Sequence, residues 1–208
     1  RESCPYPCLK LKQELRKFLG LVGYCCLWIN SHALNSKILY PKLSQGKTDH
    51  FLWISEEVDQ VEELKKRLIT APVLALPSLE KPFHLFVNLH NGVALGVPLK
   101  NTEAMAAHVA FLSKVLDPVT CEWPQYIQSI VTTALMVKES RKLTFGGKLT
   151  VRKPHQVRTI LNQKAGRWLT DSRILKYETI LLEKDDLTLT TDNSLNPAGF
   201  LTGDLNLN

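Results

Sequence analysis

Hydrophobic residues change their spacing once along this chain. Over residues 13–29, Leu15, Phe18, Leu19, Val22, Cys26 and Ile29 recur mostly at steps of three and four, the period of a helix with one apolar face. Gly20 and Gly23 interrupt that run, each costing about 1 kcal/mol relative to Ala, so a tight helix–helix approach is the expected compensation and a small bundle the expected setting. A second helix is predicted over 56–70. Ser55 caps it, Glu56 and Glu57 suit its N-terminal dipole, and Val58, Val61, Leu64 and Leu68 share one face. Ala71-Pro72 stops the helix, and residues 76–82, with Pro77 and Pro82 around a polar turn, read as a linker. The regions on either side are 1–76 and 83–208. Within the first, the polar segment 42–50 reads as a loose join between helices.

Beyond the linker the period shortens. Runs at 83–88, 94–100 and 107–113 are apolar or alternating and are separated by turn residues, which predicts three strands. A long helix follows over 124–143, with Ile127, Ile130, Val131, Leu135 and Val137 as core candidates. Then come a strand at 149–152, helices at 155–162 and 171–183, and a strand at 187–191. This mixed order is best buried as a sheet with helices on its faces, so the expected fold class is α+β: a small helical bundle, then a mixed sheet flanked by helices.

Composition leaves that picture intact. Of the 208 residues, 44% are hydrophobic and 22% charged, as in ordinary folded proteins. No apolar run reaches membrane-spanning length and no signal peptide opens the chain, so an intracellular protein, cytoplasmic or nuclear, with no membrane partner is expected. Cys4, Cys8, Cys25, Cys26 and Cys121 are odd in number and include an adjacent pair, which fits free thiols. Cys4 and Cys8 offer half a zinc site, but no Cys or His pair at finger spacing completes it, and no metal is assigned. Glycine-rich phosphate loops and dinucleotide patterns are missing, which removes nucleotide-cofactor enzymes.

Charge is placed unevenly. Between residues 138 and 176, eleven Lys or Arg face only Glu139 and Asp171, whereas after residue 177 Lys184 stands against six acids. Such a basic stretch suits a polyanion and equally suits a solvated face with scattered cations. Lys65, Lys66 and Arg67, preceded by Glu62 and Glu63, read as pairs that brace one helix. Trp28, Trp53, Trp123 and Trp168 sit in apolar or cap contexts, which favours core or lid positions over base stacking.

Five phrases carry a family resemblance: LRKFLGLVGYCCLWI at 15–29, LITAPVLALPSLEKPFHLFV at 68–87, FLSKVLDPV at 111–119, RKLTFGGKLTV at 141–151 and GRWLTDSRILKYETILLE at 166–183. In this order and spacing, over nearly the whole chain, they resemble the thumb and connection of reverse transcriptases from gammaretroviruses and related endogenous retroviruses. The resemblance implies a helical thumb over 1–76 that lies along the template-primer duplex, and a connection over 83–208 with the RNase H-like fold. It implies as partners an RNA/DNA hybrid or duplex held through its phosphates, and the rest of a Pol chain. Candidate contacts are Lys10, Lys12, Arg16 and Lys17 at the first helix, and Arg141, Lys142, Lys148, Arg152, Lys153 and Arg158 around the later half of the sheet.

Catalysis is not expected of this chain alone. Nothing in it resembles the Tyr-x-Asp-Asp turn whose carboxylates hold the polymerase metals, so nucleotidyl transfer has no charge stabilisation. In gypsy-type retrotransposons the domain at this position is an active nuclease whose acids hold two Mg²⁺ ions about 3.5–4 Å apart. The aligned positions here read Asn88, Ser129 and Pro154, and neighbouring Gln128 and His155 do not restore the charge. The gammaretroviral connection lacks most of those acids too. Asn88 departs further, since that family usually keeps an Asp there, as do Cys26 in place of a basic residue and His90-Asn91-Gly92 after the first strand. The expected function is a non-catalytic fragment that holds the RNA/DNA duplex between polymerase and RNase H, with no cofactor of its own, Mg²⁺ belonging to the intact family enzyme. The alternatives are a domesticated interaction scaffold or expressed relic, and residual RNase H activity.

Overall fold

The structure, a computed structural model, describes residues 9–44, 49–76, 82–101, 106–153, 157–164, 168–183 and 185–191. Cys4, Cys8, Pro77, Pro154 and His155, singled out above, lie outside the described residues. The chain divides into two compact units, Arg1–Val73 and Leu74–Asn208.

The first unit holds α1 (Lys12–Tyr24), α2 (His32–Ser36), α3 (Tyr40–Ser44) and α4 (Ser55–Ile69). Glu14 anchors the start of α1 by accepting the backbone N–H groups of Lys10 and Leu11 at 2.7 and 2.9 Å. Those two bonds hold its carboxyl below the usual carboxylate range. The helix stops at Tyr24, short of residue 29, because the chain tightens into three-residue turns: Cys26 donates to Gly23, Trp28 to Cys25 and Ile29 to Cys26. Ile29 is still fully buried, in one core with Leu15, Leu19, Val22, Leu39, Val61 and Leu64. Ser55 is the first residue of α4, one place later than a cap; Glu57 instead accepts the N–H of Ile54 at 3.0 Å. Of the segment expected to be loose, Lys42 to Ser44 belong to α3, with Lys42 buried, and residues 45–48 lie outside the described residues. Trp53 packs edge-on to Phe51 and donates to the Leu9 carbonyl at 2.7 Å, as a core tryptophan should.

The second unit holds β1 (Phe83–His90), β2 (Val93–Asn101), β3 (Ala106–His108), β4 (Leu112–Val115), α5 (Pro118–Cys121), α6 (Gln125–Thr144), β5 (Leu149–Lys153), α7 (Val157–Lys164), α8 (Asp171–Leu181) and β6 (Leu187–Thr191). The sheet runs β3-β2-β1-β5-β6, with β4 also paired to β2. β1 and β2 form an antiparallel hairpin whose turn, Asn91-Gly92, has φ of 48° and 70°, the left-handed conformation that a two-residue hairpin requires. β1 pairs β5 and β5 pairs β6 in parallel, so helices must cross between them, and α6 to α8 do so.

The strand expected at 107–113 is two strands. Leu99 faces His108 and Gly96 faces Leu112, so Val97 and Pro98 stand opposite three residues, 109–111, and one extra residue bulges. Val109 N–H still reaches the Pro98 carbonyl at 2.9 Å, but Pro98 has no N–H to return. The ladder breaks where the donor is missing.

Phe83, Leu85, Val87, Leu149 and Val151 share one register and are buried. Gly96, paired to Val87, lies under Met136 of α6, which identifies this as the helix-packed face. Ile127, Ile130 and Val137 of α6 are fully buried, while Val131 and Leu135 are only half-buried.

Candidate nucleic-acid interface

α1 sorts its side chains by period. Leu15, Leu19 and Val22 point into the core, while Gln13, Arg16, Lys17, Gly20, Leu21 and Tyr24 form an exposed stripe at steps of three and four. Lys10, just before the helix, is also exposed. Lys12 falls on the inner side and is only 8% exposed, so burial sets it apart from its basic neighbours. Gly20 does not mark a tight helix contact, which corrects the sequence expectation. A Cβ there meets nothing within 4 Å among the described residues, and the same holds at Gly23. The helix backbone is therefore bare at Gly20, with Arg16 one turn before it and Tyr24, 83% exposed, one turn after. Leu21 and Tyr24, which the sequence reading did not single out, complete this exposed stripe. Their position opposite the Leu15–Leu19–Val22 line was the available signal.

In the second unit the basic excess is partly neutralised locally. Arg141 pairs with Asp186 at 3.0 Å, and Lys142 and Lys114 reach Glu139 at 2.8 and 3.5 Å. Burial raises the Glu139 carboxyl, but the two lysines more than offset this and hold it below its ordinary range. Arg152 lies over the Phe86 ring at 5.6 Å. Burial first, and then the Arg152 charge, push the neighbouring His84 imidazole down, favouring its neutral form. Lys148 is exposed. The side chains of Lys153 and Arg158 lie outside the described residues. Lys65–Glu62 and Arg67–Glu63 are ion pairs at 2.9 and 2.7 Å, so that charge run does brace α4. Trp28 and Trp168 are 43% and 45% exposed, more open than their apolar surroundings predict, and Trp123 is half-buried beneath Arg173.

Of the three positions aligned with nuclease acids, Asn88 lies near the end of β1, paired with Leu95, in the register of His84 and Phe86 and away from the α6 face. Ser129 sits in α6, 3% exposed, its carbonyl accepting the Thr133 hydroxyl at 2.8 Å. Among the described residues no three His, Cys, Asp or Glu side chains come together.

Residues 53–151 match the RNase H-like domain found in reverse transcriptase. The chain is 38% identical over 195 residues to the Gag-Pol polyprotein of avian reticuloendotheliosis virus, covering 94% of this chain and 17% of that one. It is 41% identical over 189 residues to the Gag-Pol polyprotein of baboon endogenous virus (strain M7), covering 91% of this chain and 11% of that one. The chain thus spans less than a fifth of either relative's length. Among solved structures it resembles the foamy viral protease-reverse transcriptase dRH in complex with double-stranded DNA, with a TM-score of 0.80 at 18% identity over 92% of this chain and 34% of that one. It also resembles the foamy viral protease-reverse transcriptase in complex with an RNA/DNA hybrid, with a TM-score of 0.77 at 18% identity over 93% of this chain and 26% of that one.

Proposed function

This chain belongs to the gammaretroviral-type Pol family and carries the RNase H-like domain of its reverse transcriptases, and from that premise we propose that it is a non-catalytic support for an RNA/DNA template-primer duplex. The first unit acts as the thumb and the second as the connection. The observation that carries the reading is the stripe on α1. Lys10, Arg16 and Lys17 supply exposed cations, Gly20 leaves the helix surface bare for close approach, and Tyr24 presents an exposed ring one turn after it. Cations of this kind hold phosphates and set register without reading sequence. Foamy viral relatives of the same fold are solved on double-stranded DNA and on an RNA/DNA hybrid, which supports the same reading.

The donor set at the nuclease-aligned positions does not fit a pair of Mg²⁺ ions. Hard divalent cations take charged oxygen ligands, whereas Asn88 offers one neutral amide oxygen and Ser129 a buried hydroxyl. Two-metal hydrolysis is therefore no part of this function.

Fluorescence anisotropy with a labelled RNA/DNA hybrid of about 20 base pairs tests the reading, with affinity falling on a log–log salt plot by about 0.9 per phosphate contact. Arg16→Ala/Lys17→Ala is expected to make that slope shallower by about 2. A chain that ignores the hybrid at low salt would remove the duplex role, and Mg²⁺-dependent cleavage in the same samples would overturn the non-catalytic assignment.

A further inference from the structure

A half-open pocket of about 310 Å³ lies in the second unit between the end of β4, α6 and α8. Sites for small ligands run from about 300 to 1,000 Å³, so this one suits a compact molecule. Val131, Ala134 and Leu135 stand at i, i+3 and i+4 on α6 and turn one helix face toward it, while Ile180 of α8 and Val115 add apolar wall. The pocket explains why Val131 and Leu135, expected in the core, are only half-buried.

Its polar groups have one sign to spare. Lys138 and Lys176 line the pocket, are exposed, and take part in no ion pair among the described residues. Asp117, the acid in the lining, is already committed, since Oδ1 accepts the Thr120 N–H at 3.0 Å and Oδ2 accepts the Thr120 hydroxyl. Tyr177 is half-buried there; burial raises its hydroxyl above the ordinary range, and it serves as a neutral donor.

We propose that this pocket binds a small amphiphilic anion, an aryl or short alkyl carboxylate whose apolar body lies against Val131, Leu135 and Ile180 and whose charge meets Lys138 and Lys176. Asp117 keeps its negative charge, so the two lysines leave one positive charge in excess, which a neutral apolar ligand would not meet. A nucleic-acid phosphate would satisfy the lysines and leave the apolar walls empty. A carboxylate on an apolar body satisfies both.

The test is ¹H–¹⁵N NMR titration of the full chain with naphthalene-2-carboxylate, against neutral naphthalene-2-carboxamide. The carboxylate is expected to shift the amides of Leu135, Lys138 and Tyr177 saturably and to bind about tenfold tighter than the carboxamide. Lys138→Glu/Lys176→Glu changes only exposed side chains that form no ion pair among the described residues, so the fold should survive and the preference for the anion disappear. Equal affinities for the two probes, non-saturable shifts, or an unchanged preference in the double variant would overturn the proposal. So would an RNA/DNA hybrid that displaces the carboxylate from these amides, because the lysines would then belong to nucleic acid.

Discussion

Lys42 and Glu57 form an ion pair sealed inside the first unit, Nζ standing 2.8 Å from Oε2 with the two side chains 9% and 12% exposed. The ammonium also donates to the Leu52 carbonyl at 2.6 Å and lies 6.0 Å from the Phe51 ring. The same Glu57 oxygen accepts the Ile54 N–H at the start of α4, so one pair ties α3, the segment 51–54 and α4 together. Removing one partner strands a buried charge, whereas removing both leaves an apolar gap that can be filled. Lys42→Ala is expected to cost about 3 kcal/mol, and Lys42→Met/Glu57→Leu to recover most of it. Urea unfolding of the parent and the two variants decides this; a loss below about 1 kcal/mol in Lys42→Ala would mean that water solvates the pair.

Gly96 makes the second packing prediction. A Cβ at that position would stand 2.8 Å from Met136 Sδ and 3.3 Å from Met136 Cβ, so a rotamer change of the thioether cannot clear it entirely. Sheet and helix touch through this glycine. Gly96→Ala is expected to destabilise the second unit by about 1–3 kcal/mol, and Met136→Ala in the same chain to relieve the clash but leave a cavity. A double-mutant cycle read by thermal unfolding should show a favourable coupling between the two changes; additive losses would place the strain elsewhere.

Asp117 links acid stability to a single threonine. The Thr120 hydroxyl first, and then its N–H, hold the Asp117 carboxyl below its ordinary range, against a small rise from burial. Because the folded state binds the proton less readily than the unfolded one, the stabilisation is present above about pH 3.9 and fades as pH falls through the folded value. Thr120→Val keeps the shape and removes the hydroxyl, so Asp117 should titrate at higher pH. Carboxyl-carbon NMR titration reads this directly. The stability gap between the parent and Asp117→Asn should also close as pH drops below about 4, and a gap constant with pH would refute the link.

Much of the second unit was legible because its signals are local. The strand at 187–191 matches β6, Asn91-Gly92 marked the hairpin, and the long helix ends within a residue of its expected bounds. What escaped depends on residues far apart in sequence. Pro98 alone splits the strand that pairs opposite it, and nothing within 107–113 announces the break. Arg141 appears free in its basic stretch, yet Asp186, 45 residues later, neutralises it. Lys42 seemed part of a solvated loop until Glu57 met it across the fold. At the candidate interface the opposite error occurred: Gly20 and Gly23 were read as marks of a tight helix–helix approach, whereas a Cβ at either meets nothing within 4 Å among the described residues.

Gly20 therefore separates stability from binding. It lies within α1 with open space where a methyl would go, and replacing a mid-helix glycine by alanine gains up to about 1 kcal/mol from reduced unfolded-state freedom. Gly20→Ala should thus raise the melting temperature of the chain. If a duplex seats on Arg16 and Tyr24, however, that methyl stands where its surface approaches most closely, and hybrid affinity should fall while stability rises. Tyr24→Ala, which removes an exposed ring, should lower affinity and leave the melting temperature nearly unchanged. Opposite signs of the two readouts in Gly20→Ala are what a binding stripe requires. A rise in stability with affinity unchanged would make the glycine a tolerated defect of the helix and move the duplex contact to another part of the chain.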